Sequence, residues 1–139
     1  MKTPDIFYVE DDPDYVFFME NAVQEVGDNL ILTVAADGQE AIRSLRKFVE
    51  EHTIPKLILL DLNLPNISGL DILRFIREIP AMKTVPVLLF STSDSPKDVR
   101  ASIEFGANAY VTKPDGYDKL LQCVDSVQKF WFNHHLHVN

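Results

Sequence analysis

The sequence predicts an α/β fold, a doubly wound, five-stranded parallel sheet with five helices on its two faces. Three observations carry that prediction. Five short apolar runs, rich in β-branched, aromatic and leucine residues, show no alternation with polar residues, as suits strands covered on both sides. The stretches between them have helical length, and most open on a Ser or Asp followed three residues later by an acid, the signature of a capped helix start. Strand and helix alternate along the chain, which implies a parallel sheet with right-handed crossovers.

The elements follow in order. IFYV (6–9) is the first strand. Asp12 then offers a capping carboxylate, and Pro13 suits the first helical position, where no amide proton is needed. Gly27 is placed to stop that helix. LILTVA (30–35) is the second strand, and Asp37 with Glu40 opens the second helix. LILL (57–60) is followed by Ser68 with Asp71, and VLLF (87–90) by Ser95 with Asp98, where Pro96 again takes the first helical position. Gly106 suits the stop before AYVT (109–112). Asp115 with Asp118 then opens a last helix expected from about Tyr117 toward Phe132. Tyr117, Leu120, Leu121, Val124, Val127 and Trp131 form its core stripe, and Cys123 beside them reads as packing rather than as a nucleophile.

Composition bounds the function. At 139 residues, with 46% hydrophobic and 24% charged residues, the chain reads as one soluble domain with a substantial core. Its 21 acidic and 13 basic residues give a net charge of −8, against non-specific binding to DNA or an anionic membrane. No apolar run approaches membrane-spanning length, and acids within a few residues of the start argue against a signal peptide. A lone Cys123 permits no internal disulfide, and a reducing cytoplasm is the expected compartment.

The polar residues carry the chemistry. Leu57–Leu60 run straight into Asp61, and a carboxylate at the end of a buried strand must be paired, coordinated or neutralised. Glu10, Asp11 and Asp12 follow the first strand, Asn63 follows Asp61, Ser91, Thr92 and Ser93 follow the fourth, and Lys113 follows the fifth. In a parallel sheet these carboxyl ends share one edge, where ligands bind. Singly, most have an ordinary reading as caps, turns or surface charge; together they point to one site. Asp11 and Asp61 side by side repel unless a cation sits between them, and few hard oxygens with room for water suit Mg²⁺. Lys113 and that ion keep Asp61 ionised, as a carboxylate nucleophile for a phosphoryl group. The Ser91 hydroxyl and the backbone amides of Asn63 and Thr92 are candidate donors to phosphoryl oxygens.

The motifs YVEDD (8–12), LLDLNLPNISGLDIL (59–73), VLLFSTSD (87–94) and GANAYVTKP (106–114) together resemble the receiver domain of two-component response regulators, over nearly the whole chain. The resemblance implies a flavodoxin-like sheet in order 2-1-3-4-5. It marks Asp61 as phosphoacceptor, Asp11 as direct Mg²⁺ ligand, Glu10 as indirect ligand, and Asn63 as donor of a backbone carbonyl to the metal. Ser91 becomes the switch hydroxyl, Lys113 the phosphate-binding lysine and Tyr110 the aromatic that turns inward on phosphorylation. Its implied partners are a sensor histidine kinase or phosphotransfer protein and a downstream protein target.

The DLNLP loop and STS triplet resemble stand-alone receivers that partner phytochrome-type kinases, and a core of about 4–132 with a short tail leaves no expected output domain. Three positions depart from the usual family pattern. Ser68 stands where an acid often precedes the glycine, and Thr92 where a very small residue follows the switch hydroxyl. Ser93 and Asn63 offer no base toward water, so a phosphorylated form lasting longer than seconds is expected. Phe130 and Phe132 lie off the last helix's core stripe, as a homodimer or kinase contact would require. His134, His135 and His137 read as a polar tail rather than a metal site. Two alternatives compete. A phosphorylation-independent scaffold is disfavoured by the full set of acids and lysine. A dehalogenase-like phosphatase lacks its second Asp, since Asn63 stands there.

Overall fold

The computed structural model describes residues 3–27 and 29–134, without the side chains of 133 and 134. Strands β1 (Ile6–Val9), β2 (Leu32–Ala35), β3 (Leu57–Asp61), β4 (Val87–Ser91) and β5 (Ala109–Thr112) alternate with helices α1 (Pro13–Val26), α2 (Gly38–Glu51), α3 (Gly69–Glu78), α4 (Pro96–Glu104) and α5 (Tyr117–Gln128). Every strand pairing is parallel, and the order is β2-β1-β3-β4-β5. The expected flavodoxin-like architecture is therefore the one observed.

Successive strand side chains point to opposite faces, so each strand feeds two cores. Phe7, Val9, Ile58 and Leu60 pack with Leu45 and Phe48 of α2 and Ile72 and Ile76 of α3. Ile6, Tyr8, Leu57 and Leu59 pack with Met19 and Val23 of α1 and Leu120 and Val124 of α5. β1, β3 and β4 are buried along their whole length. The outer strands β2 and β5 are only half-buried, less than the apolar runs suggest, because an edge strand has a neighbour on one side alone. β2 also starts two residues later than its apolar run. The Ile31 amide bonds to the Asp5 carboxylate at 2.7 Å and leaves the ladder there.

The helix starts follow the sequence in part. Asp12 accepts from the Asp14 amide, Asp37 from the Glu40 amide, and Ser68 with Asp71 closes a reciprocal capping box. Two expected caps are not formed by the expected side chains. α5 is entered through Gly116, whose φ of 94° is left-handed backbone, so Asp115 lies one residue too early to cap it. Ser95 makes no side-chain cap to α4; Asp98 instead accepts from the Ser93 hydroxyl at 2.6 Å, and that hydroxyl takes the Ser95 amide. Gly27 ends α1 in extended rather than left-handed backbone (φ −149°). α5 gives way at Lys129 to a wider π-helical stretch reaching His134.

The two sheet edges differ. At the amino-terminal edge, Arg77 of α3 is a hub: Nε donates to the Gly106 carbonyl at 2.9 Å, Nη1 to those of Met82 and Val85 at 3.1 and 2.9 Å, and Nη2 to Asn108 Oδ1 at 2.9 Å. At the carboxyl edge, Glu10, Asp61, Ser91 and Lys113 all emerge within or just beyond their strands.

Candidate functional site

Asp61 is the last residue of β3 and 5% exposed. Glu10, one residue past β1, is 1% exposed, while the neighbouring Asp11 is open to solvent. One carboxylate oxygen from each of the three lies within 4.8 Å of the others. Lys113, one residue past β5, closes the group, with its ammonium against Glu10 Oε1 at 2.5 Å and 3.4 Å from Asp61 Oδ2. Two carboxylates so deeply buried share a single ammonium here, which leaves net negative charge at the edge of the sheet. Burial, together with the adjoining Asp61 and in spite of Lys113, pushes the Glu10 carboxyl up to about 7. Hard oxygens at this spacing, with uncompensated negative charge and one ligand open to water, fit Mg²⁺. In this arrangement Asp11 and Asp61 would hold the ion, with Glu10 beside it, and the Asn63 carbonyl belongs to the same loop.

Neighbouring backbone fixes Asp61. Its Oδ1 accepts the Asn63 amide at 3.1 Å. Gly69, at the start of α3, lets the returning chain lie against that strand end, and its amide bonds to the Leu62 carbonyl at 3.0 Å. A Cβ at Gly69 would fall on the Asp61 carbonyl oxygen and within 2.8 Å of Leu62 Cα, so only glycine permits this approach.

Ser91, fully buried, accepts at Oγ from the Asn63 side-chain amide at 3.3 Å and the Ser93 amide at 3.1 Å, leaving its own proton to donate. Thr92 is exposed. Tyr110 on β5 is half-buried, and its hydroxyl donates to the Ser93 carbonyl at 2.7 Å. The structure thus brings Glu10, Asp11, Asp61, Asn63, Ser91 and Lys113 to one edge, with Tyr110 linked to them through Ser93.

Two aromatic residues escaped the sequence reading. The Tyr8 hydroxyl donates to Glu10 Oε1 at 2.8 Å, and burial, reinforced by Glu10, holds it protonated by raising its pKa far above the usual range. The Tyr15 ring lies 4.7 Å from the Lys113 ammonium, a cation–π contact, and its hydroxyl donates to the Pro114 carbonyl at 3.3 Å. Tyr8 and Glu10 stand two apart, on the same side of a strand; that spacing was the available signal. Nothing in the sequence pairs Tyr15 with Lys113.

The chain is similar in sequence and fold to known proteins. A family model described as the response regulator receiver domain covers residues 6–125. The chain belongs to that family. The receiver is 37% identical to the response regulator Rcp1 of Synechocystis over 102 residues, 72% of this chain and 69% of that one. The crystal structure of the phosphorylated cyanobacterial phytochrome response regulator RcpA superposes with a TM-score of 0.90 at 30% identity, covering 100% of both chains. The Mn²⁺-bound form of Rcp1 superposes with a TM-score of 0.81 at 31% identity, covering 98% of this chain and 100% of that one. The receiver is accordingly a two-component signalling protein.

The remaining expectations lie away from this edge. Cys123 is half-buried and packed against the core that α1 and α5 cover, and burial raises its thiol pKa, in keeping with a packing role. Phe130 is 54% exposed with its ring 4.9 Å from that of Trp131, whereas Phe132 packs partly onto the core. The side chains of His134, His135 and His137 lie outside the described residues. No described helix is long and apolar enough to cross a membrane.

Proposed function

We propose that the receiver accepts a phosphoryl group on Asp61, from a phosphohistidine of a sensor histidine kinase or phosphotransfer protein, in a Mg²⁺-dependent step. The modified receiver then contacts a separate protein target. The observation that carries this reading is the placement of Asp61: nearly buried, within 4.8 Å of two further carboxylates and 3.4 Å from Lys113. A bare buried carboxylate is poorly tolerated, whereas one beside an ammonium and a metal site stays ionised and nucleophilic.

In the step, an Asp61 oxygen forms its bond to phosphorus as the bond from phosphorus to the donor nitrogen breaks, and that electron pair leaves with the imidazole. Bound Mg²⁺ supplies charge neutralisation for the phosphoryl oxygens and its carboxylate neighbours. Asp11, Asp61 and the Asn63 carbonyl would hold the ion directly, with Glu10 acting from beside them. Lys113 shifts its hold from Asp61 toward the incoming phosphoryl oxygens. The amides of Asn63 and Thr92 donate to the same oxygens, so the Asn63 amide leaves its bond to Asp61. Ser91 turns its free proton to the phosphoryl group.

The switch rests on the same residues. When Ser91 is drawn toward Asp61, the Ser93 segment bonded to Ser91 moves with it, and the bond from Tyr110 to the Ser93 carbonyl breaks. Tyr110 then turns inward, and the surface of α4, β5 and α5 reports the change. The similarity to Rcp1 and RcpA supports a cytoplasmic partner of the phytochrome-linked kind, and the exposed Phe130 ring supports a homodimer contact, which light scattering with and without phosphorylation tests.

Incubation with acetyl phosphate and Mg²⁺ tests the proposal. One phosphoryl group is expected, absent with chelator and absent in Asp61→Asn. Undiminished incorporation in that variant would refute Asp61 as acceptor. Phosphorylation-independent binding to a partner, with no incorporation from any donor or kinase, would favour the scaffold alternative.

A further inference from the structure

Glu10 Oε1 carries two donors, the Tyr8 hydroxyl at 2.8 Å and the Lys113 ammonium. Among the described residues Oε2 receives only the Asp12 amide, at 3.3 Å, and so has an acceptor position left for a water. Tyr8 itself has no exposure and is packed among Met19, Leu59, Phe90 and Leu120 of one core, so its ring cannot follow Glu10 if the carboxylate turns. A fixed donor on one oxygen therefore fixes the whole carboxylate.

We propose that Tyr8 is a positioning residue for the metal site: its buried hydroxyl pins Glu10 Oε1 beside Lys113 and so presents Oε2 to the water shell of Mg²⁺. The inference rests on the Mg²⁺ reading above and deepens it. Two consequences follow from the geometry. Lys113 is confined on three sides, by Glu10, by Asp61 and by the Tyr15 ring, so Tyr8 also limits how far Glu10 can draw the ammonium away from Asp61. Removing the hydroxyl frees Glu10 to rotate and gives Lys113 sole claim to Oε1, at the expense of the orientation that serves the ion.

The test is a Mg²⁺ titration followed by the amide resonances of Asp11 and Asn63, with no phosphodonor present, in the wild type, Tyr8→Phe, Glu10→Gln and the double variant. Phenylalanine keeps the buried ring and deletes only the oxygen. Tyr8→Phe is expected to weaken Mg²⁺ binding about fivefold, the scale of losing one ordinary hydrogen bond. In the Glu10→Gln background the same change is expected to do almost nothing, because the residue through which Tyr8 acts is altered. Wild-type affinity in Tyr8→Phe, or an equal loss in both backgrounds, would overturn the proposal and return Tyr8 to core packing. A wild type that shows no titration would overturn this inference and the Mg²⁺ reading together, a pattern distinct from failure of the Tyr8 role alone. Should Tyr8→Phe fold poorly, Glu10→Gln in metal-free protein reports the same contact. The buried Tyr8 hydroxyl proton should then shift, and an unmoved resonance would overturn the proposal.

Discussion

Replacing Arg77 by Lys keeps the charge but removes the planar fork that ties α3 to the amino-terminal edge of the sheet. Four short bonds radiate from the guanidinium, to the carbonyls of Gly106, Met82 and Val85 and to Asn108 Oδ1. Asn108 Oδ1 in turn accepts the Val87 amide at 2.9 Å, at the start of β4. A lysine ammonium reaches such spread acceptors singly, so at least two of the four bonds are lost. Arg77 is half-buried, so some freed carbonyls recover water, and each lost bond costs about 1 kcal/mol rather than the full penalty of burial. The sum is about 2 kcal/mol, a drop of about 6 °C in Tm for a domain of this size. Calorimetry of the two proteins in metal-free buffer measures it. A Tm within about 1 °C of wild type would refute the reasoning, because it would mean that the fork contributes no more than a solvated charge. Mg²⁺ affinity should be unchanged, since Arg77 serves the opposite edge from Asp61.

Three further outcomes follow from the site. Gly69→Ala forces a methyl onto the Asp61 carbonyl and Leu62 Cα, and should cost about 1–3 kcal/mol while slowing phosphorylation by displacing the strand end; an unchanged melt and rate would contradict it. Glu10, with a folded pKa of about 7 against 4.5, binds its proton more tightly when folded, so its own contribution to metal-free stability is full below pH 4.5 and is lost as pH rises through 7. That decline, on the order of 3 kcal/mol at most, should flatten in Glu10→Gln, and denaturant melts across the range would show whether it does. Lys113→Met removes the ammonium that Glu10 and Asp61 share, and should lower the rate of phosphorylation from acetyl phosphate by at least about tenfold; a wild-type rate would exclude Lys113 from the step.

The fold was legible because its signals are local and redundant. Continuous runs such as Leu57–Leu60 and Val87–Phe90 mark buried parallel strands, and Ser68 with Asp71 marks a helix start that the structure reproduces. Asp61 and its companions were legible because strand ends in a parallel sheet share an edge, so position along the chain already implies convergence. What failed were features set by backbone geometry or by distant partners. Asp115 carries the pattern of a cap, but the left-handed Gly116 moves the helix start past it. Ser95 caps no helix amide, and Asp98 is held instead by the Ser93 hydroxyl, which donates to its carboxylate. Tyr8 sits inside IFYV and is indistinguishable there from an ordinary core aromatic until its hydroxyl is seen against Glu10. Arg77 looks like a solvated charge on α3, since its acceptors are mostly carbonyls and carry no side-chain signature.

The central claim is that Asp61, and no other residue of the edge, carries the phosphoryl group. Borohydride reduction of protein treated with acetyl phosphate and Mg²⁺, followed by peptide mapping, tests it most directly. An acyl phosphate is reduced to the alcohol, whereas a phosphoserine or phosphothreonine is not. The account predicts homoserine at position 61 and an unmodified Glu10 and Asp11. Reduction at either of those carboxylates, or a stable phosphate on Ser91, Thr92 or Ser93 with Asp61 untouched, would contradict it.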